Sequence, residues 1–187
     1  MKADDVDGCS RHPFGPNGKP PYGASREIPG GPTLLLLKNL LFTVLVPGTV
    51  AVLIPPSLSP DRLTPSAASA AAASAFFLVG AAVYVWCVWD FASFGRGTPA
   101  PIDAPKQLVV RGLYHYSRNP MYVGVLTVIV GWGVLYLDWH LFAYAACVAT
   151  LFQLFTRFYE EPHLADLFGE EYTAYRARVG RWLPRVR

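Results

Sequence analysis

Between Tyr122 and Tyr159 the chain has an apolar stretch of about 36 residues, broken once, at Asp138-Trp139-His140. Such a stretch constrains the fold strongly. Two helices joined by a tight turn, each close to the thickness of a bilayer, satisfy its backbone groups without water. A hairpin of this kind returns its two ends to one membrane face. Those ends are Arg111-Gly-Leu-Tyr-His-Tyr-Ser-Arg-Asn-Pro-Met-Tyr122 and Tyr159-Glu-Glu-Pro-His163. Charged residues at such a place are costly unless they bind something, so the paired clusters read as a site.

The rest of the chain supports a membrane setting. Of 187 residues, 52% are hydrophobic and only 16% charged, which points away from a soluble globule and allows one domain. Four apolar windows run over Leu34 to Ile54, Ala67 to Phe91, Met121 to Leu137 and Leu141 to Phe158. As helices they would be roughly 25 to 38 Å long, against a hydrocarbon core of about 30 Å. The expected fold class is therefore all-α: a polytopic membrane protein with about four transmembrane helices, a C-terminal helical hairpin and an amphipathic cytoplasmic helix. A net charge of +3 is too small to suggest nucleic acid, and most basic residues fall beside the spans. Cys9, Cys87 and Cys147 fit neither a metal pattern nor a disulfide framework. No metal is expected.

Residues 1 to 32 hold six prolines and six glycines with almost no apolar periodicity, and read as a flexible tail. Residues 33–93 follow as N-terminal transmembrane helices, the first an uncleaved anchor, with Pro47-Gly48 predicting a kink or local break. Residues 94–187 form the third segment. It opens on a polar connection, Gly95 to Asn119, with Arg96, Lys106, Arg111 and Arg118 against the single acid Asp103. By the positive-inside rule this connection and both termini face the cytoplasm. Beyond Pro162, which should interrupt the helix, Leu164, Leu167, Phe168, Tyr172, Tyr175 and Val179 recur at spacings of three and four. That is one helix face, suited to lie along the membrane surface or to cover the site.

At the start of the hairpin, Pro120 pre-sets the first helical residue and biases Asn119 to an extended conformation. The unpaired N–H groups that follow, with the helix dipole and Arg118, form a receptor for a carboxylate. Tyr114, Tyr116 and Tyr122 add aromatic faces on which a cation can rest. At the other end, Glu160 and Glu161 point about 100° apart on an intact helix, so only one need face the pocket and receive an ammonium group. The two clusters together suit a zwitterion, such as an amino acid carrying a sulfonium.

The residues Arg118-Asn-Pro-Met-Tyr-Val-Gly124, Glu160-Glu-Pro162 and Phe168-Gly-Glu-Glu-Tyr172, then Tyr175, Arg181 and Pro184, resemble the integral-membrane methyltransferases. That group includes isoprenylcysteine carboxyl methyltransferases and phospholipid N-methyltransferases. The resemblance covers roughly residues 94 to 185. It implies a helical membrane enzyme that uses S-adenosylmethionine, held by the hairpin ends and the polar connection, and acts on a lipid or lipid-linked acceptor. It also implies that Gly95-Arg-Gly97 and Glu160-Glu161 occupy the places of the cofactor motifs of the phospholipid enzymes. The implied cofactor set is Gly95, Gly97, Tyr114, Arg118, Asn119, Pro120, Tyr122, Glu160 and Glu161. Arg118, Glu161 and His115 are the catalytic candidates. The isoprenylcysteine branch usually has Arg-His-Pro where this chain has Arg118-Asn119-Pro120, and Asn119 cannot titrate near neutrality.

Blander readings stand beside these. Gly95 and Gly97 can simply cap a helix, and Gly131-Trp-Gly133 reads as helix packing. Asp90 can mark the end of a span. Tyr172 and Tyr175 read as packing, and Arg181 as a headgroup contact or a substrate residue. Two other function classes remain: an NADPH-dependent sterol-type reductase, whose C-terminal hairpin is similar but which usually has many more spans, and a non-catalytic membrane scaffold.

Overall fold

The computed structural model describes residues 40–59, 64–95 and 107–184. The expected tail, residues 60–63 and the Arg96 to Lys106 part of the polar connection, with Gly97, lie outside the described residues. The described chain is mostly helical, and its one β-type contact is an isolated bridge between Ser117 and Gly180.

Helix α1 (Leu40–Ser57) contains Pro47, and its Val44–Leu53 segment is π-helical. A proline ring would collide with the carbonyl four residues back, that of Thr43, and widening the turn relieves the clash. The break expected at Pro47-Gly48 takes this form. Pro55 and Pro56 then withhold the N–H groups that would close the helix on the carbonyls of Val50 and Ala51. Both carbonyls find donors on other helices: Tyr144 Oη bonds Val50 O at 2.9 Å, and Trp132 Nε1 bonds Ala51 O at 2.9 Å. In an apolar setting these bonds fix α1 against the rest of the bundle.

Helix α2 (Ala67–Asp90) starts at an N-cap, Ser66, whose hydroxyl accepts from Ser69 N at 3.1 Å. It packs on α3 (Pro120–Tyr136) with backbones in contact. A Cβ at Gly80 would lie 2.7 Å from Val128 Cγ2 and 2.8 Å from Gly124 O, and one at Gly124 would lie 3.0 Å from Gly80 O. Gly131 and Gly133 are packing positions, as expected, against Phe77 of α2 and against Phe142.

The hairpin turn is short. Leu137 adopts a left-handed conformation at φ 52, and Asp138 caps α4 (Trp139–Phe155) by accepting from His140 N at 2.9 Å. Ser59, beyond α1, donates its hydroxyl to the same carboxylate. The Ser59 hydrogen bond, then the two from His140, hold the Asp138 carboxyl below its ordinary range. Ala51, Val125, Ile129, Ala145 and Val148 join α1, α3 and α4 in one buried cluster.

Two expectations are corrected near the C-terminus. Pro162 does not interrupt the chain's helical course: a π-helical turn, Thr156–Glu160, absorbs the missing N–H and leads directly into α5 (Glu161–Phe168). The single amphipathic helix is instead two, α5 and α6 (Glu170–Arg178), separated by Gly169 at φ 54, a conformation that favours glycine. Its apolar face is as read: Tyr172, Tyr175 and Val179 are buried against Leu164 and Phe168.

Three helical segments, Leu40–Ser57, Ala67–Ser93 and Trp139–Phe168, are long and apolar enough to span a membrane, and Pro120–Tyr136 is a shorter apolar helix. Their outer faces carry large apolar side chains in the open, among them Leu78, Val85, Leu151 and Phe158, as lipid-facing helices do.

Candidate active site

The two ends of the hairpin meet through the chain's C-terminal segment. Arg118 N donates to Gly180 O at 2.9 Å. Ser117 Oγ and Asn119 Nδ2 both donate to Arg181 O, each at 3.1 Å. The segment before α3 thereby grips residues 180 and 181, and places the Arg181 side chain over the start of α5. Asn119 precedes Pro120, the first residue of α3, and its side chain makes no capping bond. Its amide holds Arg181 instead.

Glu161 lies between two guanidinium groups. Arg118 Nη1 is 2.9 Å from Glu161 Oε1, while Arg181 reaches Oε1 through Nε at 2.7 Å and Oε2 through Nη2 at 3.0 Å. Such a two-point pairing is directional as well as strong. The Glu161 hydrogen bonds hold the Arg181 guanidinium above its ordinary range. Arg118 also donates to Tyr172 Oη at 3.2 Å. Its Nε is buried yet donates to no acceptor. Burial, against the opposing charge of Arg118, raises Tyr172 above the ordinary phenol range. Burial likewise raises Tyr175 and Tyr114, and Tyr175 Oη donates to Tyr114 O at 2.7 Å.

Glu160 has different company. Its Oε2 accepts from Tyr122 Oη at 3.1 Å and Thr156 Oγ1 at 3.4 Å. The Tyr122 ring stacks on Phe152 with centroids 4.5 Å apart and is tilted toward Trp182 at 6.4 Å. Trp182 Nε1 donates to Gln153 Oε1 at 2.7 Å. One carboxylate of the pair is thus locked by cations, and the other sits among hydroxyls and rings.

Of the expected site residues, the structure brings Arg118, Asn119, Pro120, Tyr122, Glu160 and Glu161 together, with buried Tyr114 on the flank. His115 is exposed at the end of the 3₁₀ turn Gly112–His115, its ring edge-on to Tyr116 at 5.5 Å. Gly95 ends the π-helical turn Phe91–Gly95 that follows α2, and Gly97 is outside the described residues. Arg181 and Tyr172, read as bland or ambiguous, are direct partners of the cluster. Gln153, Thr156 and Trp182 went unread. A signal existed for the first two: Gln153, Thr156 and Glu160 are spaced three and four apart on an apolar helix, one polar stripe on one face. Among the described residues, no group of three or more His, Cys, Asp or Glu side chains is arranged to hold a metal ion.

The sequence profile of the phospholipid methyltransferase family matches residues 68–171, more than half of the chain. The chain belongs to the phospholipid methyltransferase family. No curated protein matches the chain. The family match begins at the head of α2, one helix before the motifs that carried the resemblance, and runs through the hairpin to the first turn of α6. As a phospholipid methyltransferase family member with helices long and apolar enough to span a bilayer, the chain is a membrane methyltransferase acting on lipid. The Arg118, Glu160 and Glu161 cluster falls inside the matched region, and Arg181 and Trp182 lie beyond it.

Proposed function

We propose that this protein transfers a methyl group from S-adenosylmethionine to a lipid or lipid-linked acceptor, with the donor held at the Arg118 and Glu160 end of the hairpin. The observation that carries this reading is the orphaned Nε of Arg118, a buried donor with no acceptor beside a glutamate, Glu160, whose described hydrogen bonds come only from hydroxyls. An amino-acid carboxylate would satisfy the first and an ammonium group the second, so the residues present fit the donor's amino-acid end.

When bound, S-adenosylmethionine supplies a sulfonium methyl group, which needs in-line approach of a nucleophile and little covalent help. The protein's part is then to hold and align. Arg118 binds the carboxylate, and Glu160 with the Tyr122 ring binds the ammonium group. Glu161 does not reach outward in this scheme: it fixes Arg118 and Arg181 in place, a positioning role rather than a catalytic one. Gly95, Tyr114, Asn119 and Pro120 complete the cofactor region through their backbone or by shaping it. A carboxylate acceptor needs no base. An amine acceptor must lose a proton, and exposed His115 is the group proposed to take it.

In this reading α3 crosses the bilayer as a fourth span between α2 and α4. The site and both termini lie on the cytoplasmic face, on the side favoured by Arg96, Lys106, Arg111 and Arg118. Calorimetry on the purified protein in detergent tests the donor: S-adenosylhomocysteine binds, and NADPH does not. Incubation with methyl-labelled S-adenosylmethionine and a total lipid extract then places label in lipid. Absence of S-adenosylhomocysteine binding would end the proposal.

A further inference from the structure

After α6 the chain runs back over the ends of the hairpin, and residues 180–184 form a strap there. Its backbone is held by the start of α3, where Ser117 Oγ and Asn119 Nδ2 both donate to Arg181 O. The next side chain, Trp182, is held from a different helix. Its Nε1 donates to Gln153 Oε1 at 2.7 Å, across 29 residues of sequence. Gln153 belongs to the apolar helix α4, where an amide is costly unless it is paired. An indole N–H is a donor only, which suits the amide oxygen.

Tryptophan and glutamine together bear on Tyr122. The Tyr122 ring stacks on Phe152, with centroids 4.5 Å apart and planes at 26°, and meets Trp182 at 6.4 Å and 53°. Phe152 precedes Gln153 on α4, so one turn of that helix fixes the ring twice: directly through Phe152, and through Gln153 by way of Trp182. Two aromatic neighbours at different angles define both the place of a ring and its plane; one stacked neighbour leaves it free to slide. The plane matters because Tyr122 Oη donates to Glu160 Oε2 at 3.1 Å. A tilt of the ring is passed on to the carboxylate.

We propose that Trp182 is a positioning residue for the amino group of the methyl donor: anchored by Gln153, it holds the Tyr122 ring at the angle that presents the ring face and Glu160 together to an ammonium group. This rests on the reading that places S-adenosylmethionine at this end of the hairpin. Trp182 acts through Tyr122 and takes no part in methyl transfer. It lies beyond residues 68–171, so part of the recognition of the donor is supplied from outside the region that the family profile matches. Its ring N–H is what sets tryptophan apart from phenylalanine at this place.

Calorimetry on the purified full-length protein in detergent tests this with two probes, S-adenosylhomocysteine and its analogue lacking the amino group. The wild type binds S-adenosylhomocysteine about tenfold better than the analogue, the ratio that one charge-assisted hydrogen bond supplies. Trp182→Ala brings the two probes to within about twofold of each other, by weakening S-adenosylhomocysteine alone. Trp182→Phe and Gln153→Met each remove one end of the Nε1 to Oε1 bond, and each lowers the ratio to about threefold. The double variant goes no further, because the two residues share one interaction. Leu183→Ala, at a residue of the same strap that is 77% exposed, keeps the wild-type ratio. A tenfold ratio retained in Trp182→Ala overturns the proposal, and so does an equal loss of both probes, which would make the strap a cover and nothing more. If Trp182→Ala does not fold, as read by circular dichroism, Gln153→Met decides by the same ratio. Wild-type protein that binds neither probe refutes the donor reading and this inference with it. Wild-type protein that binds both, with equal affinity or with a ratio that no variant changes, overturns this inference alone.

Discussion

Arg181 closes on Glu161 with two parallel hydrogen bonds, at 2.7 and 3.0 Å, across 20 residues of sequence. The contact ties the end of the chain to the head of α5. It also frees Arg118 from being the only cation opposite a buried acid, since Glu161 faces both guanidinium groups.

Glu161→Gln leaves Arg118 and Arg181 facing each other without a counter-charge. Breaking a buried pair from one side costs about 3 kcal/mol. Arg181→Lys keeps the charge and loses the two-point geometry, at a cost of about 1 kcal/mol. Thermal unfolding in detergent measures both. A Glu161→Gln protein as stable as the wild type would remove the positioning role.

Glu160→Gln behaves differently. Tyr122 and Thr156 can still donate to the amide oxygen, so the unfolding midpoint moves little. The charge offered to an ammonium group is gone, and S-adenosylhomocysteine affinity falls about tenfold. Calorimetry on the two single variants separates them: stability follows Glu161, affinity follows Glu160. Unchanged affinity in Glu160→Gln would refute the assignment.

Gly80→Ala inserts a methyl group where the α2 and α3 backbones touch. Its Cβ would meet Val128 Cγ2 at 2.7 Å and Gly124 O at 2.8 Å. Because one neighbour is backbone, the helices must separate, at a cost of about 1–3 kcal/mol. The check is thermal unfolding, with Ala81→Gly at an exposed neighbour on the same helix as control.

Ser59→Ala tests the hairpin turn through pH. The Asp138 carboxyl is held below its ordinary value of 3.8, first by Ser59. A depressed carboxyl contributes stability that is fully present above its unfolded value and is lost as pH falls through its folded value. The difference in unfolding midpoint between wild type and Ser59→Ala is therefore constant near neutrality and narrows below pH 3.8. A difference that does not change with pH would mean that the hydroxyl acts by packing alone.

Sequence alone determined the elements and marked the two polar clusters as a candidate site. Apolar windows, the Asp138 break and the Pro120 start define helices because their signals are local: hydrophobic length, a cap, a missing N–H. The two polar clusters were legible for the same reason, as charged residues at the ends of spans. Their division of labour was not. Glu160 and Glu161 are adjacent and chemically alike. Only tertiary structure turns one toward Arg118 and Arg181 and the other toward Tyr122 and Thr156, because helix direction and the π-helical turn at Thr156–Glu160 set where each points. Tyr172 reads as packing, and Arg181 as a headgroup contact or a substrate residue, because their partners are 54 and 20 residues away. Gly169 likewise decided that one amphipathic face is carried by two helices, through a backbone angle that the sequence permits but does not compel. The chain by itself specified what the membrane requires, and the folded contacts decided which charges neutralise one another and which stand among hydroxyls instead.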